Sequence, residues 1–135
     1  DGRLLAIAEE SIGAAKARGW VGRPGAWSEL TLALQGDFRP TGATTLPGGD
    51  ILLLQRRFPP VGVKILRISA GAVRPGAEID GEELIRLEGA HPVDNFEGID
   101  VCGRGDGRTL VLIVSDDNFS VLQRTLLLAF ALPPH

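Results

Sequence analysis

Ile51-Leu52-Leu53-Leu54-Gln55-Arg56-Arg57 is a run of large aliphatic residues closed by an amide and two like charges. The same design stands at Leu4-Leu5-Ala6-Ile7-Ala8-Glu9-Glu10 and at Val111-Leu112-Ile113-Val114-Ser115-Asp116-Asp117. Apolar runs this short, bounded by charge, Gly and Pro, read as buried strands. The second and third runs continue into an aromatic residue, Phe58 and Phe119. One strand type returning at intervals of roughly 50 residues is the signature of a repeat architecture.

Around these runs the same neighbours return. Val63-Lys64-Ile65-Leu66-Arg67-Ile68 alternates with period two, as a half-buried strand does, and Thr125 to Leu132 is its counterpart after the third run. After the first run the counterpart is Ala17 to Val21, with a helical turn through Glu10 to Arg18 as the competing assignment. A third element recurs as Ser28-Glu29-Leu30-Thr31-Leu32-Ala33-Leu34 and Gly81-Glu82-Glu83-Leu84-Ile85-Arg86-Leu87. Each leads through a Pro-containing turn into Thr41-Gly42-Ala43 or Glu97-Gly98-Ile99, and Thr41 and Glu97 stand 56 residues apart. Pro47-Gly48-Gly49-Asp50 and Gly103-Arg104-Gly105-Asp106-Gly107 are hairpin signals leading on to the buried strands.

Four short strands in a unit of about 50 residues mark a propeller blade. Lettering the strands of a blade A to D, the chain reads B-C-D, then A-B-C-D, then A-B-C. The expected fold is all-β: β-propeller-type blades of four antiparallel strands, about two to two and a half of them, as a fragment of a larger propeller. Blade remnants are expected over about residues 1–38, 39–90 and 91–135. A sandwich or barrel of about ten strands is the alternative. Blades bury their faces against neighbours, so this set is expected to need the missing blades of a parent chain, or self-association. The chain contains no Met and opens at Asp1, which reads as a processed or trimmed piece of something longer.

Composition narrows the function classes. A length of 135 residues with 44% hydrophobic content suits one domain with a real core. Eighteen Gly and nine Pro against two His favour a turn-rich β protein. A net charge of −3 with scattered basic residues gives no electrostatic case for nucleic acid or an anionic membrane. The lone Cys102 cannot form an intrachain disulfide and does not report a compartment. No run approaches the roughly 18 apolar residues of a membrane span. No signal-peptide pattern stands at the start, and a removed signal would leave the same absence, so secretion stays open.

Three segments resemble one family. They are Leu46-Pro47-Gly48-Gly49-Asp50-Ile51-Leu52-Leu53-Leu54-Gln55-Arg56-Arg57-Phe58, then Asn95-Phe96-Glu97-Gly98-Ile99, then Val114-Ser115-Asp116-Asp117-Asn118-Phe119 with Gln123-Arg124-Thr125. Together they resemble the esterase-like phytase family from about Arg39 to Leu132, with a weaker match through Leu4 to Glu10. The resemblance implies the C-terminal part of a phytase-like β-propeller domain. It implies a bacterial hydrolase, periplasmic or secreted, with phosphoester or phosphodiester chemistry.

The candidate site residues follow from both lines of reasoning. Glu97 begins the innermost strand of a blade, and Gly98 after it permits close approach of the backbone to the axis. In propeller hydrolases a Glu-Gly at this place resembles a calcium ligand of the central channel. The metal set is therefore Glu97, Asn95, Asp116 and Asn118, with Asp94 as a further contributor and calcium as the cofactor. Glu97 capping a turn, or pairing with an arginine, is the competing assignment. Asp116 is the candidate base beside that ion, while Asp117 reads as an Asx-turn residue. Arg56, Arg57 and Arg124 suit phosphate because a guanidinium binds its oxygens in bidentate fashion, though Arg124 suits Asp116 or Asp117 equally. There is no Gly-x-Ser-x-Gly elbow, His91-Pro92 reads as a turn, and one Cys with two His lacks zinc spacing. Gly103 to Gly107 is read as a hairpin turn, since no helix follows to make a phosphate loop. Three functions remain: a metal-assisted hydrolase of small-molecule phosphoesters, a non-catalytic propeller binding module with a structural calcium, and a lactonase-like esterase.

Overall fold

The computed structural model describes residues 2–13, 15–89 and 93–133. Their regular elements are strands, apart from a 3-10 turn at Ala70–Ala72. The first apolar run is β1 (Leu4–Ile12), whose residues are half-buried or exposed rather than buried; it pairs with β2 (Lys16–Arg23), which pairs with β3 (Ala26–Ala33) in an antiparallel meander. Glu10 to Ile12 and Lys16 to Arg18 therefore lie in strands rather than in a helix. The turn is opened by Gly13 at φ 63, a conformation glycine adopts without steric cost.

The second unit is β4 (Arg39–Thr45), β5 (Ile51–Arg57) and β6 (Gly62–Ile68), antiparallel throughout. The chain then makes an excursion before completing it. A two-residue strand, β7 (Glu78–Ile79), pairs in parallel with the outer edge of the first sheet at Thr31 and Leu32. Two residues carry no periodicity, so nothing in the sequence announces β7. Its anchors are visible only in space: Ile79 is buried, and Glu78 meets Lys16 at 2.6 Å. The fourth strand of the second sheet, β8 (Glu82–Glu88), then pairs with β6. The third sheet is β9 (Phe96–Gly103), β10 (Thr109–Ser115) and β11 (Leu127–Leu132), with β10 in the centre. The complete A-B-C-D blade is the middle one, flanked by B-C-D and A-B-C, and the sheets stay open with no closed barrel.

Alternation along β5 explains how the sheets stack. Leu53 points into one seam with Ala17, Leu30, Leu32, Leu66 and Ile79. Leu52 and Leu54 point the other way, into a seam with Val63, Ile65, Phe96, Val111 and Ile113. An uninterrupted aliphatic strand is what burial on both faces demands. β10 is equally apolar, yet of its aliphatic residues Val111 and Ile113 alone are buried, while Val114 on its other face is exposed.

The inner edges meet where β4 lies against β9. Thr41 Oγ1 donates to the Phe96 carbonyl at 3.0 Å and Thr44 Oγ1 to Asp100 Oδ1 at 3.3 Å. The glycine that permits this approach is Gly42 rather than Gly98. A Cβ on Gly42 would stand 2.9 Å from the Glu97 carbonyl oxygen. One on Gly98 would meet the Val114 side chain on the neighbouring strand of its own sheet. Gly42→Ala is expected to cost about 1–3 kcal/mol through this overpacking. Gly103→Ala, where nothing lies within 4 Å, should be close to neutral. Thermal melts of both variants check this, and equal melting temperatures would contradict the packing described.

Candidate functional site

The charged end of β5 meets the lead-in to β9 and the loop that follows β10. Arg56 Nη2 stands 3.7 Å from Glu9 Oε1 and 3.7 Å from Glu97 Oε1, so one guanidinium spans carboxylates from the first and third sheets. Two of the three charge doublets that end the apolar strands thereby face each other. Glu97 Oε1 also accepts a hydrogen bond from Asn95 Nδ2 at 2.7 Å. At 3.7 Å, and with both acids partly exposed, these pairings are loose and leave Arg56 able to turn to another anion.

Asp94 ties the loops together. Its Oδ1 accepts the Asn95 N–H and its Oδ2 the Arg124 N–H, each at 2.9 Å. The Asp116 N–H reaches back to the Asn95 carbonyl at 2.9 Å. Ser115 Oγ donates to the Arg124 carbonyl at 2.7 Å and accepts the Leu126 N–H at 2.8 Å. Two successive Asx turns shape the loop: Asp116 Oδ1 holds the Asn118 N–H and Asp117 Oδ1 the Phe119 N–H, both at 2.9 Å. Asn118 and Phe119 accordingly sit at positive φ, 49 and 56.

Between these segments lies a pocket of about 120 Å³ lined by Arg56, Arg57, Phe58, Val61, Asp94, Asn95, Asn118 and Gln123. Its polar lining is incompletely satisfied. Among the described residues, enclosed side-chain nitrogens and oxygens without a hydrogen-bond partner belong to Gln55, Arg56, Arg57 and Asn95. Three of those four residues line this pocket. An enclosed polar atom left without a partner costs about 1–3 kcal/mol, and three of the residues that carry such atoms stand at this cavity.

Arg57 is held from behind. It pairs with Glu88 at 3.1 Å and stands 5.0 Å from the centre of the Phe38 ring. Lys64 at 4.6 Å and Arg86 at 5.2 Å share that ring, each contact being worth on the order of 1 kcal/mol. The hydrogen bond from Arg86 holds Glu83 below the ordinary carboxylate range and raises the guanidinium in turn. Lys64 is fully enclosed, its ammonium meeting the Gln35 carbonyl at 3.4 Å and the Gln35 amide oxygen at 3.2 Å. Burial, and then the charge on Arg86, push Lys64 below the ordinary lysine value of 10.5.

The structure thus brings Arg56, Arg57, Asn95 and Asn118 to one pocket and sets Glu97 beside it. Asp116 is exposed and serves the turn, outside the pocket lining. Arg124 enters the network through its backbone, and its side chain is exposed and does not line the pocket. His91-Pro92 lies outside the described residues. Among the described residues no group of three His, Cys, Asp or Glu side chains is disposed to hold a metal ion. A calcium ion takes about six to eight oxygens, more than the acidic side chains that the described residues gather at this place. The chain offers the Asn95 amide oxygen and the Glu97 carboxylate, which Arg56 already approaches.

A family model for phytase-like proteins, described as esterase-like activity of phytase, matches residues 1–119. The chain belongs to the phytase-like family. The match takes in the arginines of β5, the Asn95 to Glu97 segment and the turn through Phe119. Searches of curated proteins and of solved structures gave no match. Much of the pocket of this phytase-like chain was legible: Arg56, Arg57, Asp94, Asn95 and Asn118 were marked by charge and motif. Phe58, Val61 and Gln123 carry no chemical signal, and Glu9 was visible only as one of a doublet.

A buried lysine depressed in the fold binds its proton more tightly in the unfolded chain. Stability then rises with pH between the depressed value and 10.5, where the unfolded chain holds more protons. Urea midpoints of the native chain should climb relative to Lys64→Met as the pH is raised through that window. Parallel pH profiles would contradict the enclosed position of Lys64 behind Arg57.

Proposed function

We propose that this chain carries the phosphate-binding wall of a phosphoester hydrolase. The observation that carries the proposal is the pocket in which Arg56, Arg57 and Asn95 converge with partnerless enclosed atoms. Family membership supports hydrolase chemistry of the phytase or esterase kind. Guanidinium groups are suited to phosphate oxygens and to the charge that gathers on them during transfer. Arg57, braced by Glu88 and Phe38, is the fixed partner. Arg56, loosely shared between Glu9 and Glu97, is the one that turns to the substrate.

In this proposal a water attacks phosphorus and gives its proton to a carboxylate. The ester P–O bond breaks, and the departing alkoxide takes a proton from solvent. Asp116 is the proposed base, since only its Oδ1 is committed to the turn, to the Asn118 N–H. Calcium belongs to the same proposal as an ion whose ligands on this chain would be Asn95 and Glu97. When bound it would neutralise phosphate charge.

One observation favours a non-catalytic phosphate-binding module instead. Asp94 is the only acid among the pocket's liners, and both its oxygens are committed to backbone N–H groups. Turnover of 4-nitrophenyl and bis(4-nitrophenyl) phosphate, with chelator and with millimolar calcium, separates the readings. The hydrolase reading expects turnover that falls about 10²–10⁴-fold in Asp116→Asn, with phosphate binding retained. Phosphate binding without turnover in the native chain under either condition makes it a binding module. Absence of phosphate binding overturns both.

A further inference from the structure

The phosphate pocket has an apolar rim. Four large apolar side chains are at least three-quarters exposed: Phe58 at 75%, Phe119 at 103%, Val121 at 99% and Leu122 at 90%. All four sit on the two loops that line the pocket, Phe58 to Val61 and Asn118 to Gln123. Single exposed aliphatics are ordinary on a protein surface, but concentration of the most exposed ones around one polar cavity is not. The φ of 56 at Phe119 places a bulky residue where L side chains are rarely found.

Neighbouring sheets do not account for the exposure of Phe58. The loop carrying Phe58 joins β5 to β6 in the middle sheet, which has a seam with another sheet on each face. Phe58 nevertheless remains exposed, so a neighbour on each face leaves that loop tip bare. The pocket is also small. At about 120 Å³ it is well below the roughly 300–1,000 Å³ of an ordinary small-molecule cleft. A cavity of this size has room for one phosphate group, so the rest of any ester would lie outside, across the rim.

We propose that the site selects amphiphilic phosphate esters, those whose alcohol portion is an alkyl chain or an aromatic ring, over esters of polyols. The phosphate enters between Arg56 and Arg57, and the apolar portion lies on Phe58, Phe119 and Leu122. This specificity rests on the phosphate-binding reading of the pocket.

Calorimetric titration of the full 135-residue chain tests it with three ligands: inorganic phosphate, myo-inositol 1-phosphate, and decyl phosphate below its micelle concentration. Decyl phosphate is expected to bind at least about tenfold more tightly than the other two, a difference of about 1.4 kcal/mol. Phe119→Asn with Leu122→Ser, neither of which lines the pocket, should abolish that difference and leave phosphate affinity and melting temperature unchanged. Asn is chosen because it tolerates the left-handed conformation. Cosedimentation with phosphatidylcholine vesicles containing phosphatidic acid assigns the source: binding there points to a lipid headgroup, and binding to decyl phosphate alone to a dispersed ester. Equal affinity for phosphate and decyl phosphate overturns the specificity while leaving the pocket intact. If no phosphate ligand binds, the underlying phosphate reading falls with it.

Discussion

The structure depends on β5 being buried from both sides. Leu53 enters one seam and Leu52 and Leu54 the other, so a single strand fastens three sheets together. Period-two alternation makes this possible only if every residue over that stretch is apolar. Past the aliphatic run Gln55 is still buried, and the strand emerges at the rim with Arg56 and Arg57. The site is therefore a by-product of the stacking: two arginines are delivered to the place where β1 and the lead-in to β9 present Glu9 and Glu97.

At that rim, opposite charges have been brought together loosely. Arg56 stands 3.7 Å from each of two carboxylates, while Arg57 has a closer acid at 3.1 Å and an aromatic ring behind it. A guanidinium held weakly by two acids can exchange them for a better anion at little cost. One held by an ion pair and a ring stays where it is. The difference between the two arginines is what turns a line of charge into a receptor with a fixed half and an adjustable half.

Much of the fold was legible because propeller blades repeat. The recurrence of Ile51 to Arg57 at Leu4 and Val111 marked β1, β5 and β10, and the spacing of Thr41 from Glu97 marked the inner strands. What the sequence hid was local or long-range in a way periodicity does not record. β7 is two residues long and is fixed by Lys16 from 62 positions away. Gly98 drew attention beside Glu97, yet the close backbone approach occurs at Gly42. The distinction needs the register of β9 on β10, which turns Gly98 toward Val114. For the site, charge and amide residues stood out, whereas Phe58 and Val61 became meaningful only once two loops were seen to enclose one pocket.

The central claim is that Arg56 and Arg57 form a phosphate receptor at the end of the middle strand. Titrating the isotope-labelled chain with inorganic phosphate, while following the arginine Nε–Hε NMR signals, tests it most directly. The account predicts saturable shifts at Arg56 and Arg57, with Arg104 and Arg108 unmoved because they pair with Asp106 in the distant β9–β10 hairpin. Shifts spread evenly over all arginines, or none at Arg56 and Arg57, would contradict it.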